Sequence, residues 1–93
     1  MALARVVTFE GVDASHLGEL RSRIEGDERP DIPATEIIVL HDAGSATATT
    51  LVFFDNEEDY AVGDGALNAM PGDDTPGRRT SVRKLDVAIR TTA

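Results

Sequence analysis

Two uninterrupted apolar quartets, Ile37-Ile38-Val39-Leu40 and Leu51-Val52-Phe53-Phe54, constrain this chain more than any other feature in it. Each sits in a stretch of β-branched and aromatic residues, 35–41 and 47–54, and the cluster Asp42-Ala43-Gly44-Ser45 stands between them. Ile, Val, Thr and Phe favour strands, whereas Asp, Gly and Ser favour a tight reversal. So short a connection predicts an antiparallel hairpin. Successive side chains of a strand point to opposite faces, so a run without alternation is apolar on both sides. Both strands are therefore expected to be covered on both faces. The chain has 93 residues, enough for one small domain and not two, to provide that cover.

The remaining segments alternate around this hairpin. Arg5-Val6-Val7-Thr8-Phe9-Glu10 reads as a first strand, ended by Gly11. Asp13 suits the N-cap of a helix over 14–25, with Leu17, Leu20 and Ile24 on one stripe and Gly26 at its end. Asn56 suits the N-cap of a second helix, with Asp59 three residues on. Glu57, Glu58 and Asp59 occupy its first turn, where the helix dipole favours negative charge. Its apolar stripe is Tyr60, Gly63, Leu67 and Met70, and Pro71-Gly72 stops it. Gly63 and Gly65 each cost such a helix roughly 1 kcal/mol relative to Ala, so small residues here point to a close approach to the sheet. A last strand is expected from about Arg79 to Arg90. The order is β-α-β-β-α-β, the ferredoxin-like plan of class α+β: a four-stranded antiparallel sheet with two helices on one face, spanning residues 1–93 as a single domain.

Composition narrows the function classes. Seventeen acidic residues against nine basic give a net charge of −8, which argues against a nucleic-acid partner. No apolar run approaches the roughly 20 residues of a membrane helix, so no membrane partner is expected. The N-terminal Met1-Ala2-Leu3-Ala4-Arg5 is too weakly apolar for a signal peptide, and a cytoplasmic protein is expected. With no cysteine, thiolate chemistry and disulfides are excluded. No zinc-ligand spacing or phosphate-cradling glycine loop is present, so neither a metal nor another cofactor is inferred. The charge is uneven: residues 41–77 hold eight acids and no Lys or Arg, whereas residues 78–93 hold five bases and one acid.

Two helices on one face leave the other face of the sheet to be explained. Strand parity puts Val7 and Phe9 on one side, with Leu85, Val87 and Ile89 assigned to the same, helix-covered side. Val6, Thr8 and Glu10 then share the second side with Val82, Lys84, Asp86 and Ala88. Glu10, Glu36, Lys84 and Asp86 are candidates for ion pairs on that second side. A part-apolar open face and only four aromatic residues (Phe9, Phe53, Phe54 and Tyr60) together suggest a second subunit, hence a homodimer.

The element order, the length and this mixed second face resemble the dimeric α/β-barrel superfamily, which includes antibiotic-biosynthesis-monooxygenase-like domains. The stretches Val52-Phe53-Phe54-Asp55-Asn56-Glu57-Glu58-Asp59, Ala66-Leu67-Asn68-Ala69-Met70 and Thr75-Pro76-Gly77-Arg78-Arg79-Thr80-Ser81-Val82 are similar to small uncharacterised members of that group. The resemblance implies two sheets packed face to face and a pocket between helices and sheet in each subunit. It is compatible with a small, partly apolar organic ligand, with a cofactor-independent monooxygenase or isomerase acting on an aromatic or polyketide-like substrate, and with a structural or regulatory dimerisation module. Oxygenases of the group use Trp, Asn and Arg, and this chain has no Trp.

Five residues are candidates for ligand binding. His41 ends the second strand beside Asp42, which suits a carboxylate-oriented imidazole, or else an exposed strand end. His16, the other imidazole, falls in the first turn of helix one. Tyr60 is the only phenol and lies on an apolar stripe. Asn68 offers an amide near a helix end, or else bonds the backbone there. Arg78 and Arg79 are adjacent on a strand and so point to opposite faces. One suits a carboxylate ligand and the other the acidic first turn of helix two.

Overall fold

The computed structural model describes residues 2–25, 32–68 and 77–92. The elements run β1 (Leu3–Glu10), α1 (Ala14–Glu25), β2 (Glu36–Asp42), β3 (Thr47–Phe54), α2 (Glu57–Asn68) and β4 (Arg78–Asp86). One antiparallel sheet has the order β2-β3-β1-β4, an α+β arrangement that fits the ferredoxin-like plan. Expectations resting on Gly26, Met70, Pro71-Gly72, Thr75 and Pro76, and on the side chains of Leu20 and Ile24, lie outside the described residues and side chains.

Local chemistry accounts for the helix starts. The Asp13 carboxylate accepts from the His16 amide at 2.9 Å and lies 3.2 Å from the His16 ring. These contacts, the amide bond first, hold Asp13 below the usual carboxylate range. At α2 the Asn56 Oδ1 accepts from the Asp59 amide at 2.8 Å, and the Asn56 amide reaches back to the Asp59 carboxylate. The β2–β3 turn is held by Asp42, whose Oδ1 accepts from the amides of Gly44 and Ser45. Bonds from Ser45 and Gly44 lower the Asp42 pKa.

The core lies between the helices and one face of the sheet. Leu3, Val52, Phe54 and Tyr60 form one cluster, packed by Ile37 and Leu67. Val7, Phe9, Val12 and Ala48 form a second, packed by Leu17 of α1. Phe54 is fully buried and meets Tyr60 edge-on at 5.4 Å between centroids. Gly63 is the reason α2 can come so close: a β-carbon there would overlap the Phe54 ring. Gly65 has open space around the same position, so only one of the two glycines serves the approach. Gly77, at φ 81°, enters β4 directly against the Glu10 carbonyl, where a side chain has no room.

The register corrects three expectations. Cross-strand partners share a face. Val82 pairs with Val7, Lys84 with Arg5 and Asp86 with Leu3, so these β4 residues lie on the helix side. Leu85 pairs with Ala4 and Arg83 with Val6, which puts Leu85 on the open side. The β4 assignment from sequence was thus inverted. Alternation alone gives two faces without saying which is which, and a bulge between Thr8 and Phe9 shifts the pairing. Secondly, β4 ends at Asp86 rather than Arg90. Its partner Leu3 is the first residue of β1, so among the described residues no further strand pairs with it; Val87 donates once to the Ala2 carbonyl, and Ile89 is 87% exposed. Thirdly, β2 is an edge strand, and within this chain it is not covered on both faces: Leu40 is 55% exposed.

Candidate functional site

The open face and the α2–sheet seam each carry a set of charged residues. On the open face stand Ala4, Val6 and Thr8 of β1, Leu51 and Phe53 of β3, Ile38 and Leu40 of β2, and Leu85 of β4. Its charged positions are three acids (Glu10, Glu36 and Asp42) and, with the chain beyond β4, three bases (Arg78, Arg83 and Arg90). Arg78 donates to Glu10 at 2.8 Å at one corner, and Arg90 pairs with Glu36 at the opposite corner while stacking over the Phe53 ring at 4.7 Å. This surface is electrically balanced in a chain of net charge −8.

The seam is built differently. Arg5 lies on the inward face of β1, between Leu3 and Val7, and its side chain is 5% exposed. A guanidinium at such depth must be hydrogen-bonded, and α2 supplies the partners. Arg5 Nε donates to Asp64 at 2.9 Å, and Nη2 donates to the Asn68 amide oxygen at 3.0 Å. Asp64 and Asn68 are one helical turn apart, so both face the sheet, and the Asn68 amide nitrogen donates to Asp64 at 3.3 Å. Arg79, brought to the inward face by its pairing with Phe9, donates to the same Asn68 oxygen at 3.0 Å. Two guanidinium groups thus converge on one neutral carbonyl. Tyr60 borders this cluster. Burial, then Asp64, raises its pKa above the usual phenol value, while Arg5 and Lys84 pull the other way. Lys84 lies 5.1 Å from the Tyr60 ring centroid and pairs with Glu57 at 3.2 Å.

Of the five candidates, the structure brings Tyr60, Asn68 and Arg79 into one neighbourhood and separates the other two. Asn68 bonds side chains, not the backbone. Arg78 is on the open face with Glu10, and Lys84 is the base that meets the acidic first turn of α2. The His41 ring donates from Nε2 to the Val12 carbonyl at 2.7 Å, tying the end of β2 to the turn before α1; Asp42 is occupied by its own turn. His16 stays with its cap residue Asp13. Of the residues assigned to the second side of the sheet, Glu10 and Glu36 are there, and Lys84 and Asp86 face the helices. Arg5 and Asp64, the centre of the cluster, were missed by the sequence reading. The available signal was a charge at inward parity with Val7 and Phe9.

The chain matches no family model and no curated protein sequence. Among the described residues no helix is long and apolar enough to cross a membrane.

Proposed function

We propose that this chain acts as a homodimeric α/β-barrel domain whose two sheets stack open face to open face. Each subunit then keeps its α2–sheet seam for a small, partly apolar organic molecule. The observation that carries the proposal is the open face itself. Ile38, Leu40 and Leu85 are exposed together there, beside half-buried Val6, Leu51 and Phe53. A contiguous apolar patch of this kind is a common mark of an interaction surface. A second copy suits it because three acids and three bases cancel on this face alone, so like-charge repulsion between two strongly acidic chains is least here.

Sedimentation velocity at micromolar concentration tests this reading. The dimer is expected for the native chain and the monomer for Leu40→Asp, with unchanged far-UV circular dichroism in both. A native chain that sediments as a compact monomer contradicts it. The alternative of a dimerisation module without a ligand shares the interface and differs at the seam. The enzymatic alternative, an oxygenase or isomerase, would draw on Tyr60, the phenol that lies beside Asp64 and under Lys84.

A further inference from the structure

We infer that the seam between α2 and β4 is a carboxylate-binding site, in which the Asn68 carbonyl holds the place of the ligand's carboxylate between Arg5 and Arg79. This rests on the proposed ligand-binding reading of the seam and names the chemistry of what binds. The argument begins with charge. Arg5 and Arg79 both donate to one uncharged oxygen, and the only carboxylate in contact with either of them, among the described residues, is Asp64 on Arg5. Arg79 has an amide oxygen for its partner among the described residues. Among the described residues, the two guanidinium groups that meet at the Asn68 oxygen have one carboxylate in contact with them, Asp64. An anion at that point is attracted by both guanidinium groups and a neutral group is not.

Geometry narrows the anion. The two donors lie on either side of a single oxygen, each at 3.0 Å. A carboxylate entering there offers one oxygen to Arg5 Nη2 and the other to Arg79 Nη1, and charge-assisted bonds of this type are stronger than the bonds to an amide that they replace. Asn68 is the last residue of α2 and exposed, so its side chain can turn to solvent, while Asp64 keeps Arg5 Nε in place. The rest of the ligand meets one apolar side chain and the stem of a lysine. Val82, on the inward face of β4 and exposed, adjoins Lys84, whose ammonium sits over the Tyr60 ring. A small acid with an aromatic or aliphatic body matches this lining; inorganic anions match only the arginine pair.

Benzoate and its neutral isostere benzamide, titrated into the native protein and into Arg79→Ala and followed by amide chemical shifts, form the test. Arg79 is exposed, so its removal is expected to leave the fold intact, and Arg79→Lys provides a second variant with the charge but without the fork. The native chain is expected to bind benzoate about tenfold or more tightly than benzamide, with shifts centred on Asn68, Arg79 and Val82. Arg79→Ala is expected to abolish that preference and Arg79→Lys to retain part of it. Equal binding of the two probes to the native chain overturns the carboxylate inference and leaves a ligand at the seam standing. A preference for benzoate that survives in Arg79→Ala also overturns it. If neither probe shifts the seam at tens of millimolar, both the inference and the seam-ligand reading fail, whereas the dimer is judged separately by sedimentation. Sodium sulfate competing as well as benzoate would mark the site as an anion site without the apolar selectivity, against the inference as stated.

Discussion

The two faces of this sheet differ in what satisfies them. The inner face carries a buried arginine, and every demand of that charge is met from within the chain: Asp64 and Asn68 on α2, one turn apart, reach Arg5 from above. The outer face carries no buried charge and has its ion pairs at two corners, yet it leaves Ile38, Leu40 and Leu85 in water. The inner face thus has its buried charge paired within one copy. The outer face is complete in charge and incomplete in apolar cover. The proposed dimer interface and the proposed carboxylate site therefore fall on opposite sides of the same sheet.

Substitutions at matched positions sharpen this contrast. The largest effect is expected in the inner core. Phe54→Ala empties a fully buried ring site under Gly63 and should cost about 3–5 kcal/mol in urea unfolding, whereas Leu40→Ala on the outer face should change monomer stability by less than about 1 kcal/mol. Comparable losses at the two positions, measured in the monomer, would break the contrast. Next come the charges. Asp64→Ala leaves the buried Arg5 without its carboxylate and should cost about 2 kcal/mol, since an unmet buried charge is penalised more than the bond was worth. Arg83→Ala, exposed on the outer face, should fall within about 0.5 kcal/mol of the native chain.

The glycines of α2 provide a finer comparison within one helix. Gly63→Ala is expected to destabilise by about 1 kcal/mol, because overlap with Phe54 outweighs the gain in helix propensity. Gly65→Ala, with open space around it, is expected to stabilise by about 0.5–1 kcal/mol. Thermal unfolding of the pair reads both signs. The smallest effect is on pH. Tyr60 has a raised pKa in the folded state, so its contribution to stability is fully present below pH 10 and is lost as the pH rises through the folded value. Unfolding free energy of the native chain should therefore decline more steeply above pH 10 than that of Tyr60→Phe. Tyr60 is the only tyrosine, so its phenolate absorbance can be followed directly in the same samples.

Much of the architecture was legible from the sequence because local signals agreed with the fold. Asp13 and Asn56 cap the helices they were expected to cap, the Asp42 turn joins a hairpin, and Gly63 marks a close approach. The faces of β4 were not legible. The alternation of Leu85 with Lys84 and Asp86 is plain, but which set turns inward depends on pairing with β1, and the bulge beside Phe9 lies between two otherwise regular runs. Hydrophobicity pointed the wrong way there. Lys84 is inward because its stem and charge serve Tyr60 and Glu57, and Leu85 is outward on the open face. The candidate site was half visible. Asn68 and Arg79 stood out as an amide and a cation near element ends, whereas the convergence of Arg5 and Arg79 on the Asn68 oxygen brings in a residue 63 positions away along the chain, a relation no local pattern contains. His41, an imidazole beside a carboxylate in the sequence, bonds the Val12 carbonyl in the structure, a partner 29 positions away that no local pattern contains.

The central claim is that a second copy covers the open face. Sedimentation equilibrium of the native chain and of Leu40→Asp, from micromolar to hundreds of micromolar, tests it most directly. The account expects the native chain at twice the monomer mass throughout and Leu40→Asp at the monomer mass with its fold retained. A native chain at the monomer mass across that range would contradict the claim, as would a dimer that Leu40→Asp leaves intact.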